Sequence, residues 1–325
     1  LAVRRLTASR PILGRAIPAP QRPLLLRALC SGVPRISHDE LHLGAPRLLN
    51  GAHVRVRVGE WRDAASGELR RVAVKEVSLK RAERERPSRE AAARLRKEAE
   101  LLTLCRHPAV VKCYGLAEGV VESCRRAPYL PPRLLETEGE SWLRLVMEEC
   151  GDNLAVAPPH ALPWPRVLQT LRVLASALEQ THARGVVHRD VKLANVLGYP
   201  AISAAIARGV EKPPVPGPDT DPPVRLVDFD RAALLPPPGA PPLPCVGTLP
   251  SMAPELLAAE AAGAAGEGAA EPPGPAADVY AFGVLGYELL EGVKAHQGVL
   301  TPGVGGGHLA PQLARRVWRL MRRRA

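Results

Sequence analysis

The stretch that decides the fold of this 325-residue chain is His188-Arg189-Asp190-Val191-Lys192-Leu193-Ala194-Asn195. It follows a segment from Trp164 to Arg184 that is predicted to form a helix ending at Gly185. The apolar pairs Val186-Val187 and Val196-Leu197 stand on either side of it. The stretch is therefore a short polar loop between two apolar runs, and it places a carboxylate, a cation and an amide close together.

Three further motifs follow this loop. After an irregular, Pro-rich segment from Gly198 to Pro223, a predicted strand, Val224-Arg225-Leu226-Val227, leads directly into Asp228-Phe229-Asp230. Farther on stands Val246-Gly247-Thr248-Leu249-Pro250-Ser251-Met252-Ala253-Pro254-Glu255. Asp278-Val279-Tyr280-Ala281-Phe282-Gly283 then opens a predicted helix. The two phenylalanines of the chain both fall within these motifs.

The N-terminal half is predicted to contain strands and one long helix. Val54, Val56 and Val58 alternate with arginines, and this period of two predicts a half-buried strand. The sequence also predicts a strand over Arg71 to Val77, a helix over Ser88 to Cys105 and a strand over Trp142 to Glu148.

Taken in order, these motifs resemble those of Ser/Thr-type protein kinases, whose catalytic loop is His-Arg-Asp-x-Lys-x-x-Asn and whose later motifs are Asp-Phe-Gly and Ala-Pro-Glu. The resemblance covers about residues 48–290. It implies an α+β, two-lobed fold with a small β-rich N-lobe, one main helix in that lobe, and a larger, mainly helical C-lobe that is truncated. It also implies ATP and Mg²⁺ as cofactors, and a protein substrate phosphorylated on Ser or Thr.

The resemblance assigns roles to the residues of the catalytic loop. Asp190 would be the base that accepts the proton of the attacking hydroxyl, and Lys192 the cation beside the transferred phosphoryl group. Asn195 and Asp228 would be the magnesium ligands, because hard oxygen donors suit that ion.

In the N-lobe, Val72-Ala73-Val74-Lys75 is similar to the third-strand motif of the family. Its lysine would bind the nucleotide phosphates and a glutamate of the next helix. Glu98 matches that glutamate, with Glu100 as its competitor.

The resemblance also implies a nucleotide pocket. Val56, Ala73 and Leu197 would enclose adenine, and Met147 would be the gatekeeper at its rear. The backbone from Glu148 to Cys150 would pair with adenine, and Asp152 would contact the ribose.

The chain departs from the family at several positions. Of the three glycines expected in the loop that covers the phosphates, only Gly51 is present, and Leu49 and Val54 replace the others. Both replacements remove backbone freedom, so we expect weaker nucleotide binding. Asp230 replaces the glycine of Asp-Phe-Gly, and Ser251 stands where an aromatic residue is usual.

Composition sets the outer limits of the interpretation. An apolar fraction of 46% allows a real core, whereas the net charge of +11 lies largely at the two ends and does not by itself predict a nucleic-acid partner. The six scattered cysteines favour free thiols in a reducing compartment, and no run is long enough for a membrane span. We expect a cytoplasmic protein, and the sequence does not determine its oligomeric state.

Three regions are predicted. Residues 1–40 form a basic, Arg- and Pro-rich tail, for which an organelle transit peptide and a disordered tail both stay open. Residues 41–150 form the N-lobe. Residues 151–325 form the C-lobe, with insertions near 198–223 and 258–277.

Two functions of different classes are compatible with the sequence. The first is an active protein kinase, favoured because Lys75, Glu98, Asp190, Asn195 and Asp228 are all present. The second is a pseudokinase that acts as a nucleotide-binding or scaffold module, favoured by the incomplete glycine loop and short C-lobe. A small-molecule kinase is a third option, disfavoured by the Ala-Pro-Glu segment.

The loop from Arg231 to Gly247 has a further peculiarity. In the family, an arginine at the position of Arg189 commonly pairs with a phosphorylated residue of this loop. Here the loop contains no Ser, Thr, Tyr, Asp or Glu, and it is rich in proline. We therefore expect a loop that is ordered without phosphorylation.

Overall fold

The computed structural model describes residues 32–48, 53–120, 141–156, 162, 164–198, 224–237, 241, 243–261 and 274–291. Gly51 and the segments 1–31, 199–223 and 292–325, for which the sequence raised expectations, lie outside the described residues.

The N-lobe is built on a five-stranded antiparallel sheet in the order β1-β2-β3-β5-β4. The strands are β1 (Leu41–Leu48), β2 (Arg55–Arg62), β3 (Leu69–Ser78), β4 (Cys113–Val120) and β5 (Ser141–Glu148). Strands β4 and β5 stand on either side of residues 121–140, which lie outside the described residues.

Strand β2 is half-buried as its alternation predicts, but its more deeply buried side carries arginines. Arg55 and Arg57 are each 9% exposed, whereas Val56 and Val58 are partly exposed. The physical reason is Glu76 of β3, which is fully buried opposite Arg55 and 3.8 Å from a guanidinium nitrogen of Arg57. A buried carboxylate needs cations, so the arginines turn toward it and the valines face the cleft between the lobes.

The same face of the sheet is covered by chain that precedes β1. Arg35 forms a parallel bridge with Leu116 of β4, and the Ile36 amide donates to the Leu116 carbonyl at 2.9 Å. Ile36 is 7% exposed, packed with Trp61 and Val146. The predicted boundary at residue 40 is therefore too late, because burial of Ile36 and pairing with an edge strand bring residues 33–40 into the N-lobe.

This approach of the N-terminal segment depends on Gly115 of β4. Its φ is +158°, and a Cβ atom at this position would collide with the carbonyl oxygen of Pro34. Only glycine combines this backbone conformation with so close a neighbour.

Two helices follow β3: α1 (Leu79–Arg84), capped by the Ser78 side chain, and α2 (Arg86–Leu104). Helix α2 begins with a proline in its first turn, where the missing amide hydrogen costs nothing. Its buried residues recur every three or four positions and include Leu95, Glu98 and Leu102. Two polar side chains, Ser88 near the start of the helix and Glu98 near its middle, thus lie on the buried face.

The C-lobe contains α3 (Trp164–Ala183), α4 (Pro254–Ala261) and α5 (Pro275–Glu291). Helix α3 is longer by one residue than any other described helix, and it packs with α5 through residues such as Leu174 and Leu285. Helices α4 and α5 extend into the predicted insertion 258–277 at both ends, because alanine favours helix and Pro275 fits the first helical turn.

Two short antiparallel ladders frame the catalytic loop. The first pairs β6 (Val186–Val187) with β9 (Ala233–Leu234), and the second pairs β7 (Val196–Gly198) with β8 (Val224–Leu226). The polar loop 188–195 therefore has a strand at each end, as its apolar flanks predict. No helix of the described residues is long and apolar enough to cross a membrane.

Candidate active site

Lys75 of β3 lies between two carboxylates that come from different parts of the chain. Its Nζ donates to Glu98 Oε1 and to Asp228 Oδ1, at 2.6 Å in each case. Glu98 Oε1 also accepts from the backbone amide of Phe229 at 3.1 Å. One ammonium group thus joins β3, α2 and the Asp-Phe-Asp motif. Glu98 is the helix glutamate that pairs with Lys75, whereas Glu100 is partly exposed.

The electrostatics of this group follow from its burial. Burial alone would lower the pKa of Lys75, but the carboxylates of Glu98 and Asp228 outweigh it and raise that pKa. Burial raises the pKa of Glu98, and Lys75 opposes this effect. Burial would also raise the pKa of Asp228, but Lys75 lowers it below its usual value. The lysine is therefore firmly charged, and it keeps Asp228 ionised.

Asp190 is the centre of a second group, in the catalytic loop. Its side chain is 3% exposed and accepts from Lys192 Nζ at 2.8 Å and from the Thr248 hydroxyl at 2.7 Å. Asn195 Nδ2 donates to the Asp190 backbone oxygen at 2.8 Å and to its Oδ2 at 3.1 Å. Burial would raise the pKa of Asp190, but the hydrogen bonds from Lys192 and Thr248 outweigh it and lower that pKa.

Asp278 of α5 braces the backbone of the catalytic loop. Its two oxygens accept from the backbone amides of His188 and Arg189, at 2.7 and 2.8 Å. Arg189 has a φ of +64°, a conformation that non-glycine residues adopt at a cost of about 1–3 kcal/mol. Asp278 also accepts from His182 Nε2 at 2.8 Å. This contact was not predicted from the sequence, and the one local signal for it is that His182 lies in the last turn of α3.

His188 and Phe229 connect the two groups. Their rings are 4.7 Å apart in an edge-to-face arrangement, and both residues are fully buried. His188 Nε2 lies 3.1 Å from the Val227 carbonyl. Leu102 of α2 is buried in the same core cluster as Phe229, so apolar packing runs from the N-lobe helix to the catalytic loop.

The cleft face of the sheet is set by register. Val56 of β2 lies opposite Lys75, and Ala73 lies opposite Met147 of β5. Residues directly opposite in an antiparallel pair share a face, so these side chains form one surface above the catalytic loop. Leu197 of β7 is partly exposed, and Met147 is 6% exposed.

The segment after β5 links the lobes. The Glu148 carboxylate accepts from Arg225 Nε at 2.6 Å and from the Lys112 amide at 3.1 Å. Gly198 donates its amide to the Asp152 carbonyl at 2.9 Å, while the Asp152 side chain is exposed. Burial raises the pKa of the Cys150 thiol to about 12, so this thiol stays protonated.

The structure therefore brings together Lys75, Glu98 and Asp228 in one group and Asp190, Lys192 and Asn195 in a second. These groups meet where β8 ends, since Val227 donates its amide to the Asn195 carbonyl at 3.0 Å. Gly51 alone among the predicted site residues lies outside the described residues.

The two lobes and the charged groups between them define a kinase-type domain. A family model for the protein kinase domain matches residues 58–301, which is most of the chain. The chain therefore belongs to the protein kinase family.

Several Ser/Thr kinases are similar to it. Serine/threonine-protein kinase pkn2 of Myxococcus xanthus is 31% identical over 209 residues, which cover 64% of this chain and 20% of that protein. Serine/threonine-protein kinase PknA of Mycobacterium tuberculosis is 30% identical over 210 residues, covering 64% and 39%. Hormonally up-regulated neu tumor-associated kinase of Homo sapiens is 31% identical over 184 residues, covering 53% and 22%. The matched part is thus less than half the length of each of these relatives.

Proposed function

We propose that this chain is an ATP- and Mg²⁺-dependent protein kinase that phosphorylates Ser and Thr hydroxyls of protein substrates. The observation that carries the proposal is the Asp190 carboxylate, which is held by Lys192 and Thr248 while Lys75 is held between Glu98 and Asp228. A scaffold has no chemical need for two such groups of buried charges, whose desolvation is costly.

Asp190 would orient the incoming hydroxyl and accept its proton. Its lowered pKa keeps it ionised at neutral pH, and three donors already fix the direction of the carboxylate. Lys192 contacts both Asp190 and the Thr248 hydroxyl, so its charge lies where the transferred phosphoryl group would develop negative charge. Preference for Ser and Thr over Tyr rests on this Lys192–Thr248 pair.

Lys75 would bind the nucleotide phosphates. Glu98 holds its ammonium in place from α2, and Val56, Ala73 and Leu197 would enclose the adenine ring. Met147 would close the rear of the pocket, with the backbone of Glu148–Cys150 as the partner of adenine.

The residues present fit a magnesium ion. Asp228 offers a carboxylate, and its side chain is 34% exposed. Asn195 donates its amide nitrogen to Asp190, which leaves its amide oxygen to bind a cation. One carboxylate and one amide, completed by phosphates and water, suit Mg²⁺. When bound, the ion would neutralise charge on the phosphates.

Within the described part of the chain, Cys105, Cys113, Cys150 and Cys245 are free thiols, which favours a reducing compartment such as the cytoplasm. The Arg-rich first residues keep organelle import as the alternative.

The test is Mg²⁺-dependent phosphoryl transfer from ATP to a degenerate Ser/Thr peptide mixture by the wild type beside Asp190→Asn. Loss of the base should lower transfer about 100- to 10,000-fold, with the circular dichroism spectrum unchanged. Asp39→Asn is the matched control, because Asp39 is exposed and far along the chain from the site. Equal transfer by wild type and Asp190→Asn would reject catalysis, and ATP binding without transfer by the wild type would favour the pseudokinase.

A further inference from the structure

The activation segment, residues 231–247, reaches from the Asp-Phe-Asp motif to the substrate side of the site. It contains no residue that could carry a phosphate and no carboxylate that could imitate one. Arg189 of the catalytic loop therefore has no anion to bind within this segment. The structure shows what its guanidinium binds in place of a phosphate.

Arg189 contacts both ends of the segment through backbone oxygens. Its Nε donates to the carbonyl of Arg231 at 2.6 Å, and its Nη1 donates to the carbonyl of Pro244 at 3.1 Å. Its own backbone amide is held by Asp278. One guanidinium thus joins the first residue of the segment to a residue near its end.

Arg231 makes the complementary contact. Its Nη1 donates to the Gly247 carbonyl at 2.7 Å. The next residue, Thr248, donates its hydroxyl to Asp190 and accepts from Lys192. Arg231 therefore fixes the peptide unit that carries the Thr248 hydroxyl to the catalytic carboxylate.

The close packing at position 247 requires glycine. Its φ is +151°, and a Cβ atom there would lie 3.1 Å from the Arg189 carbonyl oxygen. The backbone at Gly247 is thus pressed against the catalytic loop from one side, while Arg231 holds its carbonyl from the other. A side chain without a hydrogen-bond donor at position 231 would leave that carbonyl without this partner.

We infer that Arg231 is a positioning residue for phosphoryl transfer, and that Arg189 and Arg231 hold the activation segment by backbone carbonyls in the place of a phosphate. The inference rests on the proposed function and deepens it, because it makes the active arrangement independent of phosphorylation. Hydrogen bonds from charged donors are about twice as strong as neutral ones, and three of them span the segment.

An anion would compete with the backbone carbonyls for the guanidinium groups of Arg189 and Arg231. Arg189 and Arg231 lie together here, since Arg189 donates to the Arg231 carbonyl. These two cations could receive a phosphate from elsewhere in the chain. The test therefore includes removal of phosphate as well as removal of the guanidinium.

The experiment compares Arg231→Met with Arg231→Lys in the full chain. Methionine keeps an unbranched apolar stem but cannot donate, whereas the lysine ammonium can still reach a carbonyl. The matched control is Arg172→Met, because Arg172 is exposed on α3. For each protein, kcat/KM for the best peptide of a Ser/Thr library, KM for ATP and amide hydrogen exchange over residues 243–252 are measured.

In Arg231→Met we expect kcat/KM for the peptide to fall about 10- to 100-fold, the range of one charge-assisted hydrogen bond. KM for ATP should stay within about twofold, because Lys75 and the cleft are untouched. Exchange over 243–252 should become faster, and Arg231→Lys should recover part of both losses. Phosphatase treatment of the wild type should leave its activity unchanged.

The inference is overturned if Arg231→Met matches the Arg172→Met control in peptide kinetics and exchange, or if Arg231→Lys loses as much as Arg231→Met. It is equally overturned if phosphatase treatment abolishes activity. If the wild type transfers no phosphate at all, the proposed function fails, and hydrogen exchange alone decides whether Arg231 holds the segment.

Discussion

The contacts of Lys75 lead to a quantitative prediction about stability. In Lys75→Met, Glu98 and Asp228 remain as two carboxylates that have lost their shared cation. The Glu98 side chain is 1% exposed and cannot be rehydrated without movement of α2. We therefore expect a measurable loss of folding free energy in addition to the loss of phosphoryl transfer.

Removal of one partner of a buried ion pair costs about 3–5 kcal/mol. The lower end applies here, about 3 kcal/mol, because Asp228 is one-third exposed and Glu98 can take up a proton. For a domain of this size, about 2–4 °C of Tm corresponds to each kcal/mol, so the Tm should fall by about 6–12 °C near neutral pH.

The loss should depend on pH in a definite direction. Burial already raises the pKa of Glu98, and removal of Lys75 takes away the main effect that opposes this rise. Between the unfolded and folded pKa values, the folded variant binds more protons than the unfolded chain, so its stability falls as pH rises. Asp228 adds a deficit that stays constant over this range, because the stabilisation from its lowered pKa is fully present above its unfolded pKa and is absent from the variant.

Urea unfolding of both proteins at about pH 5.5 and about pH 8 measures this effect. The difference between them should be larger at the higher pH. A second variant, Lys75→Met with Glu98→Gln, should regain about 1–2 kcal/mol over the single variant, a usual interaction energy for contacting residues. Lys80→Met, at an exposed position, is the control. A deficit that is independent of pH, or no recovery in the double variant, would refute uncompensated charge as its cause.

Two other predictions concern the N-lobe. Ile36→Ala should destabilise the protein by about 2–5 kcal/mol in urea unfolding, because Ile36 is 7% exposed against the sheet. The control Leu69→Ala, at a side chain that is 47% exposed, should change the stability little. Equal effects of the two changes would mean that the N-lobe begins at about residue 40. Leu49→Gly with Val54→Gly should tighten ATP binding by about 1 kcal/mol in calorimetric titration if these side chains restrict the phosphate loop, and equal or weaker binding would contradict this.

The sequence predicted much of the local structure because the signals are local. The alanine-rich run after Pro87 predicts α2, and Gly185 marks the end of α3 within one residue. The loop 188–195 could be assigned a catalytic role only through its resemblance to the family motif, whose residue types it carries at the same spacing. Pairing of Lys75 with Glu98, in contrast, was expected only from the resemblance to the family, since 23 residues separate the two in sequence.

The sequence alone therefore determined β2, β3, α2, β5 and α3 in their order, and the positions of the candidate site residues, but not β1, β4 or α1. Tertiary structure decided which face of β2 is buried, since alternation gives two faces and the choice depends on Glu76, brought opposite Arg55 by the β2–β3 register. It also decided that residues 33–40 belong to the fold, because Ile36 is buried in a cluster with Trp61, Ala117 and Val146, which come from strands far along the chain. The contact of Arg231 with Gly247 is of the same kind: it spans 16 residues, and no local pattern specifies which carbonyl a loop arginine will reach.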